Sequence, residues 1–260
     1  MSTAVATLES PAARVGADRR PGLFRLVGVE LRKMVDTRAG FWLQLVTLGL
    51  MITLVILNIV FGKNVDQTFQ DMLWSALWPA TVLLPVVGLL LITSEWSQRT
   101  SLITFTLVPR RSRVLAAKLG AGVVLAMVAL VTSLAVAVVG TVVADPGVDG
   151  TWSLPPEMLG QAALYVSATM ITGLAFGSVL LSSAPAIVLY FVLPLGWTLL
   201  ASIPTIEGVA RWLNAGHSLA PMSEHVLSAT EWARAGTTLA VWMLLPLVIG
   251  VWRISRNEIG

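Results

Sequence analysis

Side chains that could do acid–base or metal chemistry are few in this sequence of 260 residues. Glu224 and His225 are adjacent, His217 is the only other histidine, and there is no cysteine. Neither the zinc-binding pattern H-E-x-x-H nor the nucleotide-binding pattern G-x-x-x-x-G-K-[ST] occurs in the sequence. We therefore expect no catalytic residue, no metal site and no directly bound cofactor, so the chain by itself is not expected to be an enzyme.

Charge is absent from the long apolar stretches. Apolar residues make up 56% of the chain and charged residues only 12%, about half of the roughly 25% that is usual in soluble domains. Two polar side chains within these stretches, Gln44 and Asn58, are candidates for lining a substrate pathway. Ion-driven transporters usually need an ionisable group inside the membrane, so the energy for any transport is expected to come from elsewhere.

The lengths of these stretches predict six membrane-spanning helices. A helix needs about 20 mostly apolar residues to cross a bilayer core of about 30 Å. Met158–Ile206 is too long for one crossing, and we place its turn at residues 182–185, where Pro185 follows small polar residues. The predicted fold is an all-α integral membrane protein. Its domain is expected at 39–253, with spans at about 41–61, 73–93, 119–143, 159–181, 186–203 and 235–252.

Basic residues are distributed unevenly between the ends of these spans. With the N-terminus in the cytoplasm, Lys63, Arg211 and Arg234 are the only lysines and arginines that fall outside. This bias favours that orientation, because basic loops stay cytoplasmic. We predict a multi-pass protein of the cytoplasmic (plasma) membrane with both termini cytoplasmic. The basic excess then faces the membrane, so no nucleic-acid partner is expected.

The segment before the first span predicts an amphipathic helix. Residues 1–20 contain no apolar core and are expected to be a mobile cytoplasmic tail, and residues 254–260 are expected to be a second cytoplasmic tail. Within 21–38, apolar residues recur at helical spacing, and the intervening polar positions include Arg25, Glu30, Arg32 and Lys33. Such a helix is expected to lie on the membrane surface against lipid. A soluble helix packed on a partner protein is the alternative.

The predicted loop between the second and third spans, Ser94–Lys118, contains an apolar segment. Ser101–Val108 is apolar or hydroxylic and is bounded by Arg99 and by a proline with two arginines. Eight residues are too few to cross a bilayer, and an apolar segment in a basic loop needs to be covered. The groove of a partner protein would cover it. A helix at headgroup level without a partner is the alternative.

The segment Pro204–Trp232, before the sixth span, is too long for a simple connection. Val209, Trp212 and Leu213 suggest one short amphipathic helix. Met222, Val226 and Leu227 suggest a second. We expect these helices to enter the outer leaflet without crossing it, and a plain extracellular flap is the alternative.

The loop after the second span resembles the hallmark of permease subunits of ATP-binding-cassette (ABC) exporters of the antibiotic and polysaccharide export type (type 2). That family places a Glu at the end of helix 2, then a Thr, an apolar run, a proline and a basic stretch. The corresponding residues here are Glu95, Thr100, Leu102–Val108, Pro109 and Arg110–Lys118. Arg99 stands where the family often has Gly. Glu30–Trp42 also looks like the surface helix of actinobacterial members.

This resemblance implies a mechanism. Thr100–Val108 would be the coupling helix that docks into a separate ATPase subunit, and that subunit would bind ATP and Mg. Two permease chains, identical or homologous, would enclose the substrate pathway, and Pro204–Trp232 would form external re-entrant helices. The residues implied in coupling are Glu95, Thr100, Leu102, Phe105, Leu107, Pro109, Arg110 and Arg111. Glu95 is expected to contact either the surface helix or the ATPase.

The expected function is therefore export of a drug, antibiotic, lipid or hydrophobic peptide, since the uncharged spans favour an apolar or amphiphilic cargo. A membrane anchor or sensor that recruits a cytoplasmic partner without transport is the main alternative. A membrane-embedded enzyme is the weakest alternative, because no acid–base group lies within the predicted spans.

Overall fold

The computed structural model describes residues 22–62, 67–97, 111–144, 147, 149–201, 203, 205, 208 and 212–256. Regular structure in these residues is helical, and none of them lies in a strand. Six of their helices are long and apolar enough to cross a membrane. This confirms the prediction of an all-α, multi-pass membrane protein.

The first two helices meet at a sharp corner. Helix α1 is Leu23–Asp36 and helix α2 is Arg38–Phe61. Between them, the Thr37 side chain accepts a hydrogen bond from the backbone N–H of Gly40 and so caps α2. A β-carbon at Gly40 would lie 2.0 Å from the carbonyl oxygen of Met34. The corner therefore requires glycine, and it fixes the direction in which α1 leaves the bundle.

Helices α3 and α4 both extend beyond the predicted spans. Helix α3 is Phe69–Ser97, and helix α4 is Arg111–Ala144. The predicted loop Ser94–Lys118 is therefore helical at both ends, which corrects its boundaries. The predicted coupling helix Thr100–Val108 lies outside the described residues.

Helices α5 and α6 form the antiparallel pair predicted from the long apolar stretch. Helix α5 is Pro156–Leu180 and helix α6 is Ser183–Leu200. The chain reverses at Leu181, whose φ of +54° is left-handed. The turn thus comes slightly before the predicted one. Pro185 lies in the first turn of α6, where a missing backbone N–H removes no helical hydrogen bond.

The last span is longer than the sequence pattern predicted. Among the described residues before it, Trp212 and Leu213 are helical, and the short helices α7 (Ala215–Leu219) and α8 (Pro221–Glu224) follow them. The span then comprises α9 (Ala229–Leu239), a π-helical turn (Ala240–Leu244) and α10 (Leu245–Arg256). Its start is fixed by Ser228 and Glu231, which form a capping box. Residues 254–256, which were predicted to belong to the cytoplasmic tail, are the end of α10.

Helix α3 is the centre of the bundle and packs against α2, α4 and α5. Its contact with α5 is close because Gly173 faces the backbone of Pro85 and Gly177 faces Leu89. The small-xxx-small spacing of these glycines predicts such packing, and the structure confirms it. We call the end of the bundle at which α1 lies the α1 end, and the opposite end the far end.

Candidate functional site

Four charged side chains meet at the α1 end. Glu30 and Lys33 come from α1, Glu95 from the last turns of α3 and Lys118 from the second turn of α4. Lys33 Nζ lies 2.8 Å from an oxygen of Glu30 and 2.8 Å from an oxygen of Glu95. Lys118 Nζ lies 2.8 Å from Glu30 and 2.9 Å from Glu95. We call these four residues the charge cluster.

The charge cluster is largely removed from solvent. Lys118 is 4% exposed, Glu30 5% and Glu95 9%, whereas the side chain of Lys33 is 38% exposed. An isolated buried charge is costly, and the cost is offset only by close pairing and further hydrogen bonds. Here two cations alternate with two anions, and Lys118 also donates to the backbone carbonyl of Leu91 at 3.3 Å. The four formal charges therefore sum to zero.

Glu30 lies on the buried face of α1, and not on the polar face to which its charge assigned it. Val27, Leu31 and Met34 share this face, at the helical spacing i, i+4 and i+7. Val27 and Leu31 pack against the core and Met34 is buried within it. The expectation for Glu30 was wrong because a carboxylate counts as polar in a periodicity pattern even when a lysine of another helix pairs with it.

The pKa of Lys33 is raised above its ordinary value. Burial by itself lowers this pKa, but hydrogen bonds and charge attraction from Glu30 and Glu95 outweigh burial. These carboxylates favour the protonated ammonium. Lys33 is therefore held as a cation throughout the neutral range, which keeps α1 bound to α3.

The predicted surface-helix residues divide into two groups. Arg25 and Arg32 are exposed, and Arg32 lies 3.7 Å from Asp36 in an exposed ion pair. Glu30 and Lys33 face the bundle instead. Glu95, for which a contact with the surface helix or an ATPase was expected, does contact the surface helix through Lys33.

Most of the predicted coupling residues lie outside the described part of the chain. They are Thr100, Leu102, Phe105, Leu107, Pro109 and Arg110. Arg111 is the first residue of α4, but its side chain is not described. The structure therefore shows what holds the two ends of this segment, and the role of the segment itself stays a prediction.

The two pathway candidates both make contacts that join helices. Gln44 donates from Nε2 to the carbonyl of Met34 at 3.2 Å, across the corner between α1 and α2. Asn58 donates from Nδ2 to Ser75 Oγ at 2.9 Å, between α2 and α3. Gln44 also lines an apolar groove of about 310 Å³ between α2, α3 and α4. Asn58 does not line this groove, so the structure does not bring the two candidates together.

The far end has no described constellation suited to metal binding. His225 Nε2 lies 2.9 Å from a Glu231 oxygen, and this pair supports the start of α9. Among the described residues, no three His, Asp or Glu side chains are grouped to hold a metal ion.

Sequence reasoning missed Lys118 and Gln161 as individual residues. Lys118 follows Val114 by four positions and Leu115 by three, which places it on the buried side of α4. Gln161 is 1% exposed. Its amide hydrogen-bonds the carbonyls of Met222 and His225 and the N–H of Leu227. In both residues the available signal was a polar side chain on an otherwise apolar helical face.

A comparison with protein-family models gives no match for this sequence. A comparison with curated proteins gives no significant match either. The functional argument therefore depends on the geometry of the charge cluster and on the sequence motif beside it.

Proposed function

We propose that this chain is the membrane-spanning permease subunit of an ATP-driven ABC exporter, coupled to a separate ATPase subunit through residues 95–111. The charge cluster is the observation that carries the proposal. It joins α1 to the end of α3 and the start of α4, which are the two helices that flank the segment 98–110. The proposed coupling segment is thus attached at both ends to the same ion-paired unit.

Such an attachment suits the transmission of force. A helix end held only by exposed contacts would fray when a partner pushed on it, because exposed ion pairs contribute little. Glu95 and Lys118 are buried and pair with each other, and each also pairs with a residue of α1. A displacement of the segment between them would therefore move α1, α3 and α4 together. In this way, ATP-driven closure of the ATPase subunits would switch the substrate pathway from inward-facing to outward-facing.

The remaining parts of the proposal follow from the spans. The predicted spans carry no charged residue at their centres, which favours an external energy source over ion coupling. Two chains would enclose the pathway, and α2 and α6 have largely uncovered apolar faces that suit a second chain or lipid. The α1 end would be cytoplasmic, as the basic residues predict. The cargo would be an apolar or amphiphilic molecule.

Co-purification tests this proposal. The chain is expressed with its genomic neighbours and purified through a tag, and bound ATPase is quantified. Phe105→Asp places a charge in the proposed coupling segment and is expected to remove the ATPase and transport. Phe61→Asp is the matched control, because Phe61 is exposed at the far end of α2 and is expected to retain both.

Two outcomes contradict the proposal. The first is the absence of any ATPase from the purified wild-type complex. The second is a Phe105→Asp variant that still binds the ATPase and transports. Capture of a different cytoplasmic protein, without any transport, would instead support the anchor or sensor function.

A further inference from the structure

A second site opens at the side of the bundle, where the lining residues Trp78 and Phe191 are 61% and 41% exposed. A cavity of about 270 Å³ is bounded by α3, α5, α6, α7 and the π-helical turn. The chain has only two tyrosines, and both Tyr165 and Tyr190 line this cavity, together with Trp242. We call it the tyrosine cavity. Tyrosine is otherwise absent from these apolar helices, so its concentration here points to a particular use.

The tyrosine cavity contains hydrogen-bonding groups in apolar surroundings. No described residue makes a hydrogen bond to the Tyr190 hydroxyl, while the Tyr165 hydroxyl lies beside Thr81. Pro194 also lines the cavity, and because it has no N–H it cannot donate to the Tyr190 carbonyl one turn earlier. Polar groups in an apolar site usually find a partner. A ligand with one donor and acceptor group would supply it.

The walls of the cavity are aromatic and held in place. The Tyr190 ring packs edge-on against Phe176 at 5.8 Å and against Phe191 at 4.9 Å between ring centroids. The Trp242 indole N–H donates to the carbonyl of Leu213 at 2.7 Å, which fixes that ring. Rigid aromatic walls favour planar aromatic ligands, which stack or pack edge-on against them.

The π-helical turn Ala240–Leu244 is an independent indication of a site. Such turns are rare and occur frequently at functional positions, because they break the regular hydrogen-bond ladder of the helix. This turn places Trp242 against the cavity. The turn and the paired tyrosines lie far apart in the sequence, yet they meet at one cavity.

We propose that the tyrosine cavity binds a small, neutral aromatic molecule that carries one hydroxyl or amine, hydrogen-bonded to Tyr190. A cavity of about 150 Å³ holds benzene, so about 270 Å³ suits two fused rings. The described residues that line the cavity include no charged side chain, which favours a ligand without an ionic group. That such a molecule is exported cargo rests on the proposed function, whereas its binding does not.

Equilibrium dialysis of radiolabelled 2-naphthol tests binding. The purified full chain is used in phosphatidylcholine nanodiscs, and uptake by empty nanodiscs is subtracted. We expect one saturable site per chain, weakened roughly five- to tenfold in Tyr190→Phe, which removes a single hydrogen bond. Thr132→Val removes a hydroxyl from the groove between α2, α3 and α4, and it is expected to bind like the wild type. Binding that is not saturable, or that Tyr190→Phe leaves unchanged, overturns the proposal.

Site-directed alkylation locates the bound probe. Because the chain has no cysteine, Thr169→Cys gives a single thiol in the cavity, and Thr132→Cys gives a matched thiol in the other groove. With 2-naphthol at about nine times Kd, alkylation at position 169 is expected to slow about tenfold by mass action, with no change at position 132. Equal protection at both positions, or equal protection by 1-decanol, identifies a gap filled by lipid chains and overturns the proposal. Neither assay needs an ATPase, so its result is independent of the co-purification test.

Discussion

The carboxylate of Glu30 and the ammonium of Lys118 lie 2.8 Å apart, and each side chain retains only 6% of its exposure. The two residues are 88 positions apart in the sequence. Helix α1 is therefore more than an amphipathic helix resting on lipid, because a buried ion pair attaches it to α4. Any movement of α1 away from the bundle would break this pair and the pair of Lys33 with Glu95.

Removal of one member of this pair is expected to be strongly destabilising. Lys118→Met keeps a long apolar side chain but leaves Glu30 with one cationic partner in place of two. Breaking a buried pair costs about 3–5 kcal/mol, and we expect a loss of this size in the free energy of unfolding, measured in mixed micelles. Arg25→Met, at an exposed position of α1, is expected to change stability by less than about 0.5 kcal/mol.

The double variant Glu30→Gln/Lys118→Gln tests whether charge pairing causes that loss. It removes one positive and one negative charge together and leaves Lys33 paired with Glu95. Neither Lys33 nor Glu95 then lacks a partner. We therefore expect the double variant to be more stable, by about 1–3 kcal/mol, than the summed losses of Glu30→Gln and Lys118→Gln predict. Simple additivity of the two losses would show that packing, and not charge pairing, is responsible.

Lys33 makes the stability of α1 sensitive to alkaline pH. The pKa of Lys33 in the folded protein is raised above 10.5 because Glu30 and Glu95 outweigh the effect of burial. The stabilisation is complete below the unfolded-state pKa and is lost as pH rises through the raised folded-state pKa. We expect the contribution of Lys33 to the melting temperature to be constant from pH 7 to about pH 10 and to decrease at higher pH.

Lys33→Arg is the control for this pH dependence. A guanidinium keeps its proton above pH 12, so the variant is expected to lose less stability between about pH 10 and about pH 11.5 than the wild type. The other charged groups that face this position, Glu30, Glu95 and Lys118, are the same in both proteins. An identical alkaline decline in both proteins would contradict the role assigned to Lys33.

The spans were predictable, whereas their ends at the α1 end were not. Charge-free stretches locate the six helices because a lone charge in the bilayer is costly. The same rule stopped the predicted second span at residue 93 and began the third at 119. Glu95 and Lys118 continue α3 and α4 because each is neutralised by a residue of α1. Their partners are 62 and 88 positions away, so no local pattern reveals them.

At the far end, the misplaced start of the last span has a local cause. The pattern S-x-x-E at Ser228 and Glu231 is a helix-start signal, and the charge-free rule passed over it in favour of Ala235. Of the two short helices predicted in the segment Pro204–Trp232, Trp212 and Leu213 of the first are helical. The second was predicted at Met222, Val226 and Leu227 but ends at Glu224, so Val226 and Leu227 follow it. Met222 and Leu227 are buried, as their apolar character suggests. Val209 lies outside the described residues. Whether these helices enter the outer leaflet stays a prediction.

The crossing of α3 and α5 is expected to reject any side chain at Gly173. A β-carbon there would lie 2.1 Å from the carbonyl oxygen of Pro85, and because that atom is backbone the helices must separate. We expect Gly173→Ala to cost about 1–3 kcal/mol or more, as overpacking does. At Gly160, in the same helix, an added β-carbon would have no other atom within 4 Å.

Gly160→Ala is therefore the matched control. Alanine favours a helix over glycine by about 0.8–1 kcal/mol, so this variant is expected to be neutral or slightly more stable in a thermal melt. If both variants were destabilised equally, the cost would come from helix α5 generally and not from its contact with Pro85.

Gln161 is expected to hold residues 221–228, at the far end, in their folded conformation. Its amide satisfies the carbonyls of Met222 and His225 and the N–H of Leu227, at 3.1, 2.9 and 2.9 Å. Gln161→Leu keeps the volume but leaves these three backbone groups without their partner. Each unsatisfied buried group costs about 1–3 kcal/mol. We expect amide hydrogen exchange in residues 221–228 to accelerate roughly 30-fold or more, while exchange in the centre of α5 stays unchanged.

Gln70 provides the comparison, because it holds the same segment from α3. Its side chain donates to the carbonyls of Ser223 and Glu224, both at 3.1 Å, and the second of these bonds is exposed. Water can replace an exposed hydrogen bond, so Gln70→Leu is expected to accelerate exchange by a smaller factor than Gln161→Leu. Equal acceleration in the two variants would mean that burial of Gln161 adds nothing.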